Sequence, residues 1–127
     1  MRVVLAPGWK TELDRGPDWL FVKLYGPDGS QADATGLAET LGMLLRQEFK
    51  RRMVLELDEL LDMPQDLVGE VKLLHDALDS QGGVLRLCGV STPHQHALEE
   101  NDSDCRFIPF RDREEAVLGF YRPGKPR

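Results

Sequence analysis

Residues 53–87 read MVLELDELLDMPQDLVGEVKLLHDALDSQGGVLRL, and this stretch limits the possible folds more than any other part of the chain. An almost unbroken apolar run at 53–57 gives way to a short acidic loop, and a helical pattern follows. Gly82 and Gly83 stop that pattern, and a second apolar run fills 84–88. A strand, a helix and a strand in this length are about the minimum for a parallel crossover. A strand without polar alternation is one covered on both faces. Within the helix, Leu67, Val71, Leu74 and Leu78 recur at steps of four, three and four, which holds one stripe against a sheet. Asp62 and Gln65 have the spacing of a capping box, with Pro64 inside the first turn.

The flanking segments extend the alternation. Residues 9–13 and 19–25 read as two strands around the turn signal Arg15-Gly16-Pro17-Asp18, an opening hairpin. Val3 to Leu5 have strand character, but Pro7-Gly8 interrupts them, so residues 1–8 are expected to be an extension before the domain. Leu37, Leu41, Leu44, Leu45 and Phe49 form a helical stripe over 36–50. Ser91-Thr92-Pro93 opens a short helix containing Ala97 and Leu98. Residues 105–110 suggest a last strand and 112–120 a last helix with Ala116, Val117 and Phe120 inward. The expected fold is α/β: a sandwich with a mixed central sheet opened by a hairpin, and about four helices packed mainly on one side. The domain would span 9–120, with 121–127 a disordered tail.

Composition narrows the function classes. A chain of 127 residues with 41% hydrophobic content has the size of one ordinary globular domain. The net charge of −6 disfavours nucleic acid, whose phosphates need clustered cations. Arg46, Lys50, Arg51 and Arg52 are the densest basic group, and helix-end placement accounts for them. No apolar run approaches the roughly 20 residues that span a bilayer, and the N-terminus lacks the length of a secretory signal, so a cytoplasmic location is expected. Cys88 and Cys105 fit buried thiols, with a disulfide left open. His94 and His96 lack a third ligand nearby, so no metal and no cofactor is expected. No nucleophile-elbow, Walker or dinucleotide loop is present, and Gly82-Gly83 ends a helix rather than opening one. His75 stands beside the buried helix stripe and does not by itself make a catalytic site. An enzyme is therefore not expected.

These segments, in order, resemble the STAS domain typified by bacterial anti-sigma factor antagonists. The resemblance covers about residues 9–118 and rests on several positions. Gly26 follows the second hairpin strand, and Val54-Leu55-Glu56-Leu57 precedes the signature loop. Gly69 falls in the first turns of the next helix. Gly82-Gly83 with Leu85 and Leu87 matches a GG-x-L-x-L segment, Val90 and Pro93 a Val-x-Pro step, and Asp112 with Ala116 an Asp-x-x-x-Ala motif. In the family, a loop of the form Asp-Ser-Ser/Thr-Gly is phosphorylated on its second hydroxyl residue by a kinase that is also the anti-sigma factor. Here that loop reads Pro64-Gln65-Asp66-Leu67, with Asp66 at the phosphoacceptor position. The family's acidic residue after the second strand has no single match among Asp28, Ser30 and Asp33.

By resemblance, the chain is a non-enzymatic regulatory domain that binds a kinase-like anti-sigma factor through Asp62, Met63, Pro64, Gln65, Asp66, Gly69 and Glu70. Gly69 would admit close backbone approach, and Glu70 would lie on the same outer face. Without a hydroxyl, the domain would be a constitutive binder, scaffold or decoy. Asp66 has two readings: a fixed, partial mimic of a phosphoserine, or an ordinary first-turn carboxylate facing the helix dipole. The alternative to protein binding is a small-molecule or lipid ligand, as in other branches of the superfamily, and a homodimer is a further expectation. A sizeable apolar cavity would favour the ligand; a filled core with a polar loop surface would favour the protein.

Overall fold

The computed structural model describes residues 2–6, 9–27, 33–100 and 110–119, with residues 2–6 and 99–100 described by their backbone. Five strands form one sheet in chain order: β1 Arg2–Ala6, β2 Trp9–Arg15, β3 Trp19–Tyr25, β4 Arg52–Glu56 and β5 Val84–Cys88. β1, β2 and β3 pair antiparallel, and β3, β4 and β5 pair parallel. The parallel half needs two crossovers, made by α1 Leu37–Gln47 and α2 Gln65–Ser80. Right-handed crossovers that step in one direction along a sheet put both helices on the same face.

That face is the main core. Leu20, Val22 and Leu24 of β3 meet Met53 and Leu55 of β4 under Leu41 and Leu45 of α1 and Leu67, Val71, Leu74 and Leu78 of α2. The four-three-four stripe of α2 is thus buried as its spacing predicts. Helix α3, Thr92–Glu100, adds Leu98 to the same cluster. Helix α4, Arg113–Leu118, packs on the opposite face, where Ala116 meets Val54, Cys88, Phe110 and Trp19. β4 is therefore covered on both sides, which explains its unbroken apolar sequence.

Three expectations are corrected. Residues 2–6 are an edge strand and not an extension before the fold: Ala6 pairs with Trp9, so the Pro7-Gly8 break falls between two paired strands. Phe49 is not a core residue. Helix α1 stops at Gln47, and Phe49 follows with φ 57° and 94% of its surface exposed. The N–H of Phe49 bonds the Arg46 carbonyl and that of Lys50 bonds the Leu45 carbonyl, a Schellman ending that turns the chain away before a further helical turn. Asp62 and Gln65 form no capping box. Pro64 is the N-cap, in an extended conformation without a side-chain cap bond, and Asp62 Oδ1 accepts the adjacent Met63 N–H. A residue before proline is pushed out of the helical region, so Met63 cannot belong to the first turn.

The paired glycines have an internal reason. Gly82 takes φ 77° at the end of α2, and a Cβ on Gly83 would lie 2.4 Å from the Arg51 carbonyl oxygen. The expected strand at 105–110 lies outside the described residues except for Phe110, which bridges Cys88 in parallel. Cys105, Phe120 and the expected tail also lie outside them.

Candidate functional site

The loop between β4 and α2 lies at the carboxyl ends of the three parallel strands, where open α/β sheets place their sites. Its body is fixed to the sheet. Leu57 N–H donates to the Cys88 carbonyl at 2.9 Å, and Leu61 N–H donates to the Gly26 carbonyl at 2.8 Å. Leu60 is buried and bridges Gly26. Gly89, at φ 70°, lets the next loop approach so closely that a Cβ there would stand 2.8 Å from Asp58 Cβ. These contacts anchor the loop to the sheet ahead of α2.

The seven residues expected to bind a partner divide into three groups. Asp62, Gln65 and Gly69 are exposed, and Pro64 is half-buried at the helix start. Met63 is a correction: its side chain is 7% exposed and belongs to the main core, so it offers little surface to a partner. Asp66, although exposed, and Glu70 both accept hydrogen bonds from within the chain. Asp66 Oδ1 accepts the Leu67 N–H at 2.9 Å, and Oδ2 accepts the Ala34 N–H at 3.1 Å. Glu70 Oε1 accepts the Ala38 N–H at 2.9 Å. Glu70 is therefore half-buried and turned toward α1, not spread on the outer face as expected.

The reason lies in α1. Its N-cap is Gly36, in the left-handed region at φ 90°, and glycine has no side chain to cap the first turn. The free N–H groups there need acceptors. Two carboxylates one turn apart on α2 supply them, and their charge also suits the positive end of the α1 dipole. Asp33, the one described candidate for the acidic residue after β3, spends its Oδ1 on the Thr35 N–H at 2.9 Å. That bond holds its carboxyl below the usual carboxylate range. Asp28 and Ser30 lie outside the described residues.

The outer surface of α2 carries a ridge that the sequence reading missed. Gln65, Gly69 and Leu73 follow at steps of four, and all are exposed. Leu73 is 58% exposed and Leu61, in the loop before the helix, 80%. Among the described residues, apart from its chain neighbours and its own helix backbone, nothing lies within 4 Å of where a Gly69 Cβ would stand. Both leucines adjoin a buried leucine in sequence, Leu60 or Leu74, and a pair of adjacent apolar residues on an element with one inward stripe signals that one faces outward.

The space beneath α1 and α2 is filled: a void bordered by Leu24, Leu55 and Leu67 measures about 10 Å³. Among the described residues, no group of three or more His, Cys, Asp or Glu is placed to hold a metal. Likewise, no described helix is long and apolar enough to cross a membrane. His75 Nδ1 stands 3.4 Å from Asp76 Oδ1, a loose surface contact, and His94 and His96 lie on α3.

Neither the family models nor the curated proteins include a match to this chain. Solved structures do match. An RsbS variant from Moorella thermoacetica superposes with a TM-score of 0.71 at 12% identity, over 86% of this chain and 92% of its own. An anti-sigma factor antagonist from Mycobacterium paratuberculosis gives 0.71 at 10% identity, over 92% and 97%. The chain has the STAS fold of the anti-sigma factor antagonists. The antagonist SpoIIAA in its unphosphorylated form agrees, with a TM-score of 0.66 at 14% identity over 88% of this chain and 99% of that one. The three superpositions cover between 86% and 92% of this chain.

Proposed function

We propose that this STAS-fold chain is a non-enzymatic regulatory domain that docks a protein partner on the loop before α2 and the outer ridge of that helix. The observation that carries the reading is Gly69. A glycine inside a helix costs roughly 0.5–1 kcal/mol relative to alanine, and among the described residues no neighbour requires its missing Cβ. A partner backbone or flat surface lying on the ridge gives it a reason. Leu61 and Leu73 supply apolar contacts on either side, and Asp62 and Gln65 supply polar ones. By likeness to the antagonists, the partner is a kinase-like anti-sigma factor of a bacterial cytoplasm, not nucleic acid or membrane.

In this proposal Asp66 is a joint and not a switch. Its two oxygens accept from Leu67 and Ala34, so it stabilises the α1–α2 pair, and it has no hydroxyl through which its charge could be switched. The docking state is then constitutive. An interior small-molecule or lipid ligand is disfavoured by the filled core.

The test is affinity capture with the intact chain, with Gly69→Arg, with Leu73→Asp and with Asp66→Ser, identifying retained proteins by mass spectrometry. A kinase-like protein held by the unaltered chain and lost with Gly69→Arg and Leu73→Asp is the expected result. Retention by Asp66→Ser alone would instead make Asp66 a built-in phosphate mimic. Equal retention by all four would move the interface elsewhere.

A further inference from the structure

At the opposite end of the molecule, the last turns of α1 and α2 border an open cleft of about 400 Å³. That is within the range of small-ligand sites. Leu45 and Leu78, both buried, form its floor, and Phe49 stands at its rim. Arg46, Lys50 and Arg51 line it, and among the described residues no acidic one does. The carboxylate of Glu48, next in sequence to Phe49, is drawn away by Arg15. A chain of net charge −6 thus concentrates three cations around one hollow of mixed polarity.

Helix-end placement accounts for Arg46, in the last turn of α1, but Lys50 and Arg51 lie beyond the helix. The last carbonyls of α1 already accept backbone N–H groups: Leu44 from Glu48, Leu45 from Lys50 and Arg46 from Phe49. The end of α2 is closed the same way, with Leu78 accepting from Gly83 and Asp79 from Gly82. Among the described residues, neither the Arg46 nor the Arg51 guanidinium has an ion-pair partner.

Phe49 is the second, independent observation. The two helices end in the same Schellman geometry, but the left-handed position holds Gly82 in α2 and Phe49 in α1. A bulky residue with φ near 57° is strained. Its ring, 94% exposed, gains no burial in return. Strain kept without an internal reason points to function.

We propose that this cleft binds a small organic anion: a carboxylate, phosphate or sulfonate on a flat apolar body. The apolar part rests on Leu45 and Leu78 under the Phe49 ring, and the acidic group meets Arg46 and Arg51. Lys50, whose Nζ donates to the Pro17 carbonyl at 3.0 Å, ties the rim to the β2–β3 turn.

The experiment is a titration of the full chain with 2-naphthoate, followed by amide NMR shifts, with neutral 2-naphthamide as the comparison. Saturable shifts at Gly42, Phe49 and Gly83 are expected, with the amide weaker by about tenfold. The double variant Arg46→Gln/Arg51→Gln should weaken naphthoate by about tenfold or more, and Phe49→Gly by several-fold. All three substituted cleft positions are exposed, so their spectra serve as the check that the fold persists. Shifts that do not saturate, equal binding of the two probes, or a double variant that binds like the unaltered chain would each overturn the proposal.

Discussion

Glu70 Oε1 accepts the N–H of Ala38 at 2.9 Å, so the carboxylate that caps α1 stands on α2. Asp66, one turn earlier on α2, takes the Ala34 N–H just ahead of that helix. Two helices that the sequence separates by strand β4 are joined by hydrogen bonds at their starts, beside the loop proposed to dock a partner. Order in that loop and order at the beginning of α1 are therefore one event.

Removing either carboxylate should loosen the joint. Glu70→Ala is expected to cost roughly 1–2 kcal/mol and Asp66→Ala about 1 kcal/mol, the range of a lost helix cap. The two losses should be less than additive, since both act on the start of α1. Urea unfolding of the single and double variants reads this directly. Stability unchanged in Glu70→Ala would mean that the Ala38 N–H finds water as good an acceptor.

Gly69→Ala separates folding from binding. The methyl group enters open space and removes a helix glycine, so the variant should be more stable by roughly 0.5–1 kcal/mol. Capture of the partner should fall at the same time. A variant that is stabilised and binds as before would remove the main support for the ridge as an interface.

The paired helix ends give opposite results for similar changes. Phe49→Gly places glycine at a left-handed position and should stabilise the fold by about 1 kcal/mol. Gly82→Ala puts a side chain at φ 77° and should destabilise it by about 1 kcal/mol. Thermal melts of both variants suffice. Equal effects of the same sign would refute the account of the two ends.

Cys88 supplies a pH dependence. Burial, aided by the nearby Glu56 and Asp58 charges, pushes its thiol from an ordinary value of 9.0 up to about 12. The folded state keeps the proton over a range in which the unfolded chain releases it. The stability contribution is therefore complete below about pH 9 and is lost as pH rises toward 12. In a Cys105→Ser background, the urea midpoint should fall faster above pH 9 than it does when Cys88→Ala is added. Parallel curves would show that the thiol is not confined in this way.

The chain alone determined the elements and the inward faces. The spacing of Leu67, Val71, Leu74 and Leu78 holds whatever packs on it, and a strand like Val54-Leu55-Glu56-Leu57 needs cover on both sides. The breaks at Arg15-Gly16-Pro17-Asp18 and Gly82-Gly83 act through local backbone preference, so they too were legible. The tertiary structure decided where polar groups and odd apolar residues went. No spacing rule links Glu70 to Ala38 across 32 residues, because that bond exists only once two crossovers lay α1 beside α2. Phe49 continued the α1 stripe in sequence, yet the helix ended first, and the periodicity had nothing left to act on. Met63 reads in the sequence as a partner-facing residue, yet it is buried in the main core just ahead of the N-cap Pro64. Local pattern reports which way a side chain faces within its own element. What it meets there is set by the packing of elements distant in sequence.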